Sequence, residues 1–279
     1  MTDPQALYVQ VGSLRLHCVD WGSEGLPPLL CLHGYTSHSR ILDRFALAAR
    51  QKYRVLGLDQ RGHGQSGWAS DGYDRSSFVS DIRTLVEVLG LERVSLVGLS
   101  MGGWHALLYA SEHPEMVDRV VLVDIAPEVS PRSERKSDEP AEPTPSSFES
   151  VEQAFAFARR RNPRPPDDLL LTDVSNSLRR REDGRWVWRP DPAMLQAGFD
   201  DPVNPAKIRR YWEALESLSV PLLVVRGAES GLVPDDVVTR MLEANPLVSA
   251  VDVPHSGHNV PVDNPEGFLK AVRAFLGIE

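Results

Sequence analysis

The chain has little of what would take a protein out of an ordinary aqueous compartment. It carries only two cysteines in 279 residues, Cys18 and Cys31. Each lies in an apolar, strand-like run, so they read as buried thiols and not as a disulfide framework or a metal site. No apolar run approaches the roughly 18 residues of a transmembrane helix, which argues against membrane insertion. The N-terminus, MTDPQALYVQVG, has no basic start followed by a long apolar stretch. No signal peptide is therefore expected, and a cytoplasmic protein is the default. Positive charge is also short: 30 Lys and Arg against 39 Asp and Glu leave a net charge of -9. Nucleic acid is a poor partner for such a surface, and a small-molecule substrate is the better expectation.

What is present is the composition of a globular protein, 42% hydrophobic and 25% charged. The first stretch, ALYVQVGSLRLHCVDWG, gives two β-rich runs around Gly12-Ser13 and predicts a hairpin. Short apolar runs then recur at 28–34 (PLLCLHG), 53–60 (YRVLGLDQ), 93–100 (RVSLVGLS), 119–125 (RVVLVDI), 221–227 (PLLVVRG) and 248–254 (VSAVDVP). Continuous runs of this kind suit strands buried on both faces of a parallel sheet. Between them Phe78, Ile82, Leu85, Val86 and Leu89 fall at helical spacing, as do Phe268, Val272, Phe275 and Leu276. The expected fold class is α/β, a doubly wound, mostly parallel sheet. The alternation breaks after residue 127. Residues 128–147, rich in proline, serine and charge, read as a mobile linker, and 148–218 as an inserted helical lid or cap. Residues 1–127 and 219–279 then form the core.

The segment LVGLSMGG places Ser100 between Gly98 and Gly102, after a predicted strand and before a helix predicted over 101–112. A G-x-S-x-G match alone is weak, but this strand–turn–helix setting suits a nucleophile on a sharp, strained turn. Acyl transfer also needs backbone N–H groups for the oxyanion. Met101, at the positive end of the following helix, and Tyr35, after His33-Gly34, are the candidate donors. His33 itself reads as a loop histidine holding turn geometry.

HGYTSHS (33–39), DQRGHGQS (59–66), GLSMGG (98–103), VDIAP (123–127) and SGHN (256–259) follow one another over nearly the whole chain. In that order they resemble the serine hydrolases of the α/β-hydrolase fold. The resemblance implies a general-base histidine after the last strand, where His258 and His255 compete in VPHSGHNVP and His258 occupies the family position. It also implies an acid in the loop after PLLVVRG, and here the chain departs from the pattern: the stretch reads RGAESGLVP, with Gly231 where a carboxylate is expected. Asp124, Glu229 and Asp235 are the substitutes. Asp235 follows Pro234 and suits a helix start. Asp124 ends an otherwise apolar strand next to that of the nucleophile, so it is favoured over Glu229.

The expected activity is a serine hydrolase cleaving a carboxylic ester, with Ser100, His258 and Asp124 as catalytic residues and no cofactor or metal. A C–C, amide or lactone hydrolase of a small catabolic acid, and a non-catalytic binding member of the fold, are the alternatives. Within the lid, Trp186 and Trp188, with Phe155, Phe157 and Trp212, are candidates to line an apolar pocket. Arg189 is a candidate to select a carboxylate-bearing substrate.

Overall fold

The computed structural model describes residues 4–130, 143–196 and 204–278. The linker expected at 128–147 lies mostly outside these residues. The chain opens with β1 (Gln5–Val11) and β2 (Leu14–Asp20), joined by the two-residue turn Gly12-Ser13, with Val11 opposite Leu14. Next come β3 (Pro28–Leu32), α1 (Asp43–Ala49), β4 (Arg54–Asp59), α2 (Arg75–Val88), β5 (Val94–Leu99), α3 (Met101–Glu112) and β6 (Val117–Val123). The inserted region supplies α4 (Val151–Arg161), α5 (Asp167–Ser177), β7 (Leu178–Arg180), β8 (Trp186–Trp188), α6 (Pro192–Gln196) and α7 (Pro205–Glu216). The core resumes with β9 (Leu222–Gly227), α8 (Asp235–Ala244), β10 (Val248–Val253), α9 (Val260–Asp263) and α10 (Pro265–Leu276).

Eight strands form one sheet in the order β1-β2-β4-β3-β5-β6-β9-β10. β1 and β2 enter antiparallel, and every pairing from β4 to β10 is parallel. The chain leaves β3 toward β4 on one side and returns to place β5 on the other. β3 and β5 therefore flank the point where strand order reverses, and their carboxyl ends open the crevice in which such sheets bind ligands.

The apolar runs are continuous because each strand feeds two cores. Leu30, Leu32, Leu56 and Leu96 face α2, α3, α7 and α8, while Leu29, Cys31, Val55 and Val97 face α1 and α10. Both cysteines are free and buried, as expected. Among the described residues, no helix is long and apolar enough to cross a membrane.

The inserted region is not wholly helical. The sequence WVW alternates large aromatic and β-branched residues with period two, and Gly184 takes the positive φ of 83° that the turn before it needs. β7 and β8 thus make an antiparallel hairpin, and Trp186 exchanges backbone hydrogen bonds with Phe148. Phe148, Phe157, Leu170, Val174 and Leu178 form the small apolar centre of the cap. α7 packs elsewhere: Tyr211 stacks on Trp104 of α3 at 5.1 Å, and Trp212 lies beneath Arg240 of α8. Trp212 is therefore a core residue and not a pocket residue, because the apolar face of α7 completes the layer over α3.

Candidate active site

Ser100 sits between the last residue of β5 and the first of α3 with φ 52° and ψ -120°, a region that costs a non-glycine residue about 1–3 kcal/mol. The surrounding glycines make that turn possible. A side chain at Gly98 would enter the backbone of Gly102 and Gly103, and one at Gly102 would enter the carbonyls of Leu32 and His33. The turn is pinned by Ser100 N–H donating to Val123 O at 2.9 Å and by Gly103 N–H donating to Ser100 O at 2.8 Å. Gly34 of the preceding loop lies against Ser100, where an added Cβ would come within 3.3 Å of the serine Cβ, a tight contact. Gly34, Tyr35, Ser100 and His258 line one cavity of about 660 Å³.

His258 follows β10, and its Nδ1 is 2.8 Å from Asp124 Oδ2. Asp124 is 1% exposed, immediately after β6. Its carboxylate also accepts the Gly227 N–H at 3.0 Å and the Ser230 hydroxyl. Burying a carboxylate requires such partners. Nδ1–H donation to Asp124 leaves Nε2 as the basic nitrogen of His258. The loop that carries Gly231 thus supplies a hydroxyl, from Ser230, in place of a carboxylate. Glu229 is 40% exposed and bonded to Arg164 of the cap at 2.9 Å. His255, its side chain 90% exposed, lies 3.8 Å from Glu229. Asp235 starts α8 and pairs with Arg226. Of the candidate acids, Asp124 is the one that holds His258.

The loop after β3 is organised by neutral histidines. His33 Nδ1–H donates to Gly34 O at 2.7 Å, and its Nε2 accepts the Gln60 N–H at 3.0 Å. Burial, with His63 nearby, pushes its pKa down to about 3. His63 is likewise lowered, to about 4, chiefly by burial, and accepts the Thr36 N–H. Gln60 Nε2 donates to His33 O at 2.7 Å while its Oε1 accepts His105 Nδ1–H at 2.6 Å. Arg75 donates to His105 Nε2 at 3.1 Å, which with burial keeps His105 neutral. A directed chain of hydrogen bonds therefore runs from α2 through α3 to the peptide that precedes Gly34 and Tyr35. Within the DQRGHGQS loop the sequence does not single out Gln60, and His105, on the helix after the serine, reads from the sequence as a packing or capping residue; the structure makes it the partner of Gln60.

The far wall of the cavity comes from the cap. Phe157, Arg161, Leu170, Val174 and Trp188 contribute to it. Four of the expected cap residues are elsewhere: Trp212, in the core, Phe155, which packs against the cap's apolar centre, and Trp186 and Arg189. Trp186 packs against the cap's own apolar centre, as does Trp188, which shares its face of the strand and also reaches the cavity wall. Arg189 is absent from the cavity wall, and its backbone closes the hairpin on Ser177. Arg161, the last of three consecutive arginines at 159–161, is in the wall. Among the described residues no group of three or more His, Cys, Asp or Glu is placed to hold a metal ion.

The family described as alpha/beta hydrolase fold matches residues 27–265, and the chain belongs to it. It is 26% identical to 2-(acetamidomethylene)succinate hydrolase of Mesorhizobium japonicum, over 96% of this chain and 94% of that protein. It is 31% identical to the sn-1-specific diacylglycerol lipase of Mus musculus, over 91% of this chain and 82% of the lipase. Among solved structures, an esterase of Mycobacterium tuberculosis superimposes with a TM-score of 0.78 at 26% identity, covering 99% of this chain and 93% of the esterase. These relatives are hydrolases, and they agree with the sheet and its mostly parallel order.

Proposed function

We propose that the protein is a serine hydrolase that cleaves a carboxylic ester through an acyl-enzyme. His258 Nε2 takes the proton of Ser100, and Oγ attacks the acyl carbon. Asp124 keeps the imidazole in the tautomer this requires and stabilises the imidazolium that forms. The amides of Tyr35 and Met101 hold the oxyanion, His258 returns its proton to the departing alkoxide, and water then releases the acid with the same histidine as base. The observation that carries the reading is the 2.8 Å contact of His258 with the buried Asp124, in a cavity that Ser100 also lines. Similarity to an esterase and to a lipase makes ester cleavage the first expectation.

The test is hydrolysis of p-nitrophenyl esters of increasing acyl length by the wild type and by Ser100→Ala. Turnover lost by about 10³-fold or more in the variant is the expected result. Equal rates for the two proteins on every ester would overturn the reading.

A further inference from the structure

We propose that the acyl substrate carries a carboxylate remote from the scissile bond, and that Arg161 in the cap is the group that binds it. This rests on the acyl-transfer reading above and adds the substrate class. Apart from His258, the described residues of the cavity wall include two side chains of the Asp, Glu, Lys, Arg or His type, Asp173 and Arg161. Asp173 is already engaged: its Oδ1 accepts from the buried His38 Nε2 at 3.1 Å, and its carbonyl accepts from the same atom. Burial lowers the pKa of His38, but the Asp173 hydrogen bond and charge outweigh it and leave it raised, so the imidazole compensates this carboxylate.

Among the described residues Arg161 has no such partner. Four other cap arginines, Arg159, Arg164, Arg181 and Arg185, are each ion-paired with a carboxylate. Among the described residues no carboxylate pairs with Arg161, the last residue of α4. Its guanidinium is positioned all the same: Nη1 donates to Thr144 Oγ1 at 3.1 Å, and the group lies 5.6 Å from the centre of the Phe157 ring. Thr144 and Phe157 are themselves in the cavity wall. Among the described residues one donor is used, and the guanidinium offers the planar fork that matches a carboxylate with two parallel hydrogen bonds. Phe157, Leu170, Val174 and Trp188 offer an apolar wall for the rest of the substrate. A neutral ester would meet the same wall and leave the cation unpaired. A half-ester of a dicarboxylic acid would satisfy both ends.

The experiment compares two series by product chromatography: monomethyl esters of straight-chain dicarboxylic acids, and neutral methyl esters of equal length. The wild type is expected to prefer the anionic series at one best length, by about 10-fold or more in kcat/KM. Arg161→Gln is expected to bring that ratio near one, mainly through KM, and Arg161→Lys to recover part of it. No preference at any length, or a preference that survives Arg161→Gln, overturns the inference while Ser100-dependent turnover of neutral esters leaves the acyl-transfer reading standing. Absence of Ser100-dependent turnover in both series removes both.

Discussion

The two walls of the cavity are built on different principles. On the sheet side the proposed reactive groups sit on short connections that leave the buried strands. Ser100 is held by a strained turn between β5 and α3, Asp124 follows directly on β6, and the Gly34-Tyr35 loop is tied through Gln60 and His105. On the cap side the wall is a small apolar cluster with a charged rim, joined to the core by side chains such as Asn162 on Asp263 and Arg164 on Glu229. Chemistry needs atoms placed to a fraction of an ångström, and a buried parallel sheet supplies that. Substrate choice needs a surface that can vary without disturbing the sheet, and an insertion after β6 supplies that.

The sharpest way to break this comparison is to exchange the acids. Asp124→Asn is expected to lower ester turnover by about 10³- to 10⁴-fold, since the imidazole loses the tautomer that leaves Nε2 basic. Glu229→Gln, which removes only a partner of Arg164, is expected to stay within a few-fold of wild type in the same assay. The opposite pattern would move the acid to the loop after β9 and dissolve the distinction between the walls.

Gln60→Leu probes whether the hydrogen-bond chain positions the loop proposed to hold the oxyanion. A displacement of Tyr35 by a fraction of an ångström should lower kcat by about 10- to 100-fold with little change in KM, measured in steady-state kinetics on one short ester. A matched loss in KM would instead place the effect in binding.

The two cap tryptophans sharpen the comparison from the other side. Trp188→Ala opens the cavity wall and is expected to raise KM more for long acyl chains than for acetate, by about 10-fold. Trp186→Ala removes packing from the cap centre and should appear in a melting curve, at about 3 kcal/mol or less, with no change in chain-length profile.

The smallest effect belongs to the framework alone. Asp74 caps α2 by accepting the Ser77 N–H at 3.1 Å and the hydroxyls of Ser76 and Ser77. These bonds, that from Ser76 first, lower its pKa from 3.8 to about 2. A folded-state pKa below the unfolded one contributes stability above pH 3.8 that is lost as pH falls through about 2. Asp74→Ala should cost about 1 kcal/mol at neutral pH in denaturant titrations, a deficit that shrinks toward pH 2.

Much of this molecule was legible in the sequence because its signals are local. The apolar runs at 28–34, 53–60 and 93–100 became β3, β4 and β5 within a residue or two, since a strand buried on both faces must be continuously apolar. The glycines around Ser100 announced the turn, because only they let α3 pack so closely on β3. In the cap, WVW falls in a stretch expected to be helical, yet its period of two points to the strand the structure shows.

The amino-acid sequence by itself determined the alternating α/β order and the strained serine after the third parallel strand. It also placed a histidine loop after the last one. Tertiary structure alone decided which carboxylate meets that histidine. Glu229 and Asp124 are separated in sequence by the whole cap, yet β6 and β9 are neighbours, so Asp124 reaches His258 and Ser230 while Glu229 turns outward to Arg164. It also decided that Arg161 and not Arg189 faces the cavity, because the direction of a side chain on a small cap depends on how that cap sits against the sheet edge. Spacing along the chain carries no record of that contact.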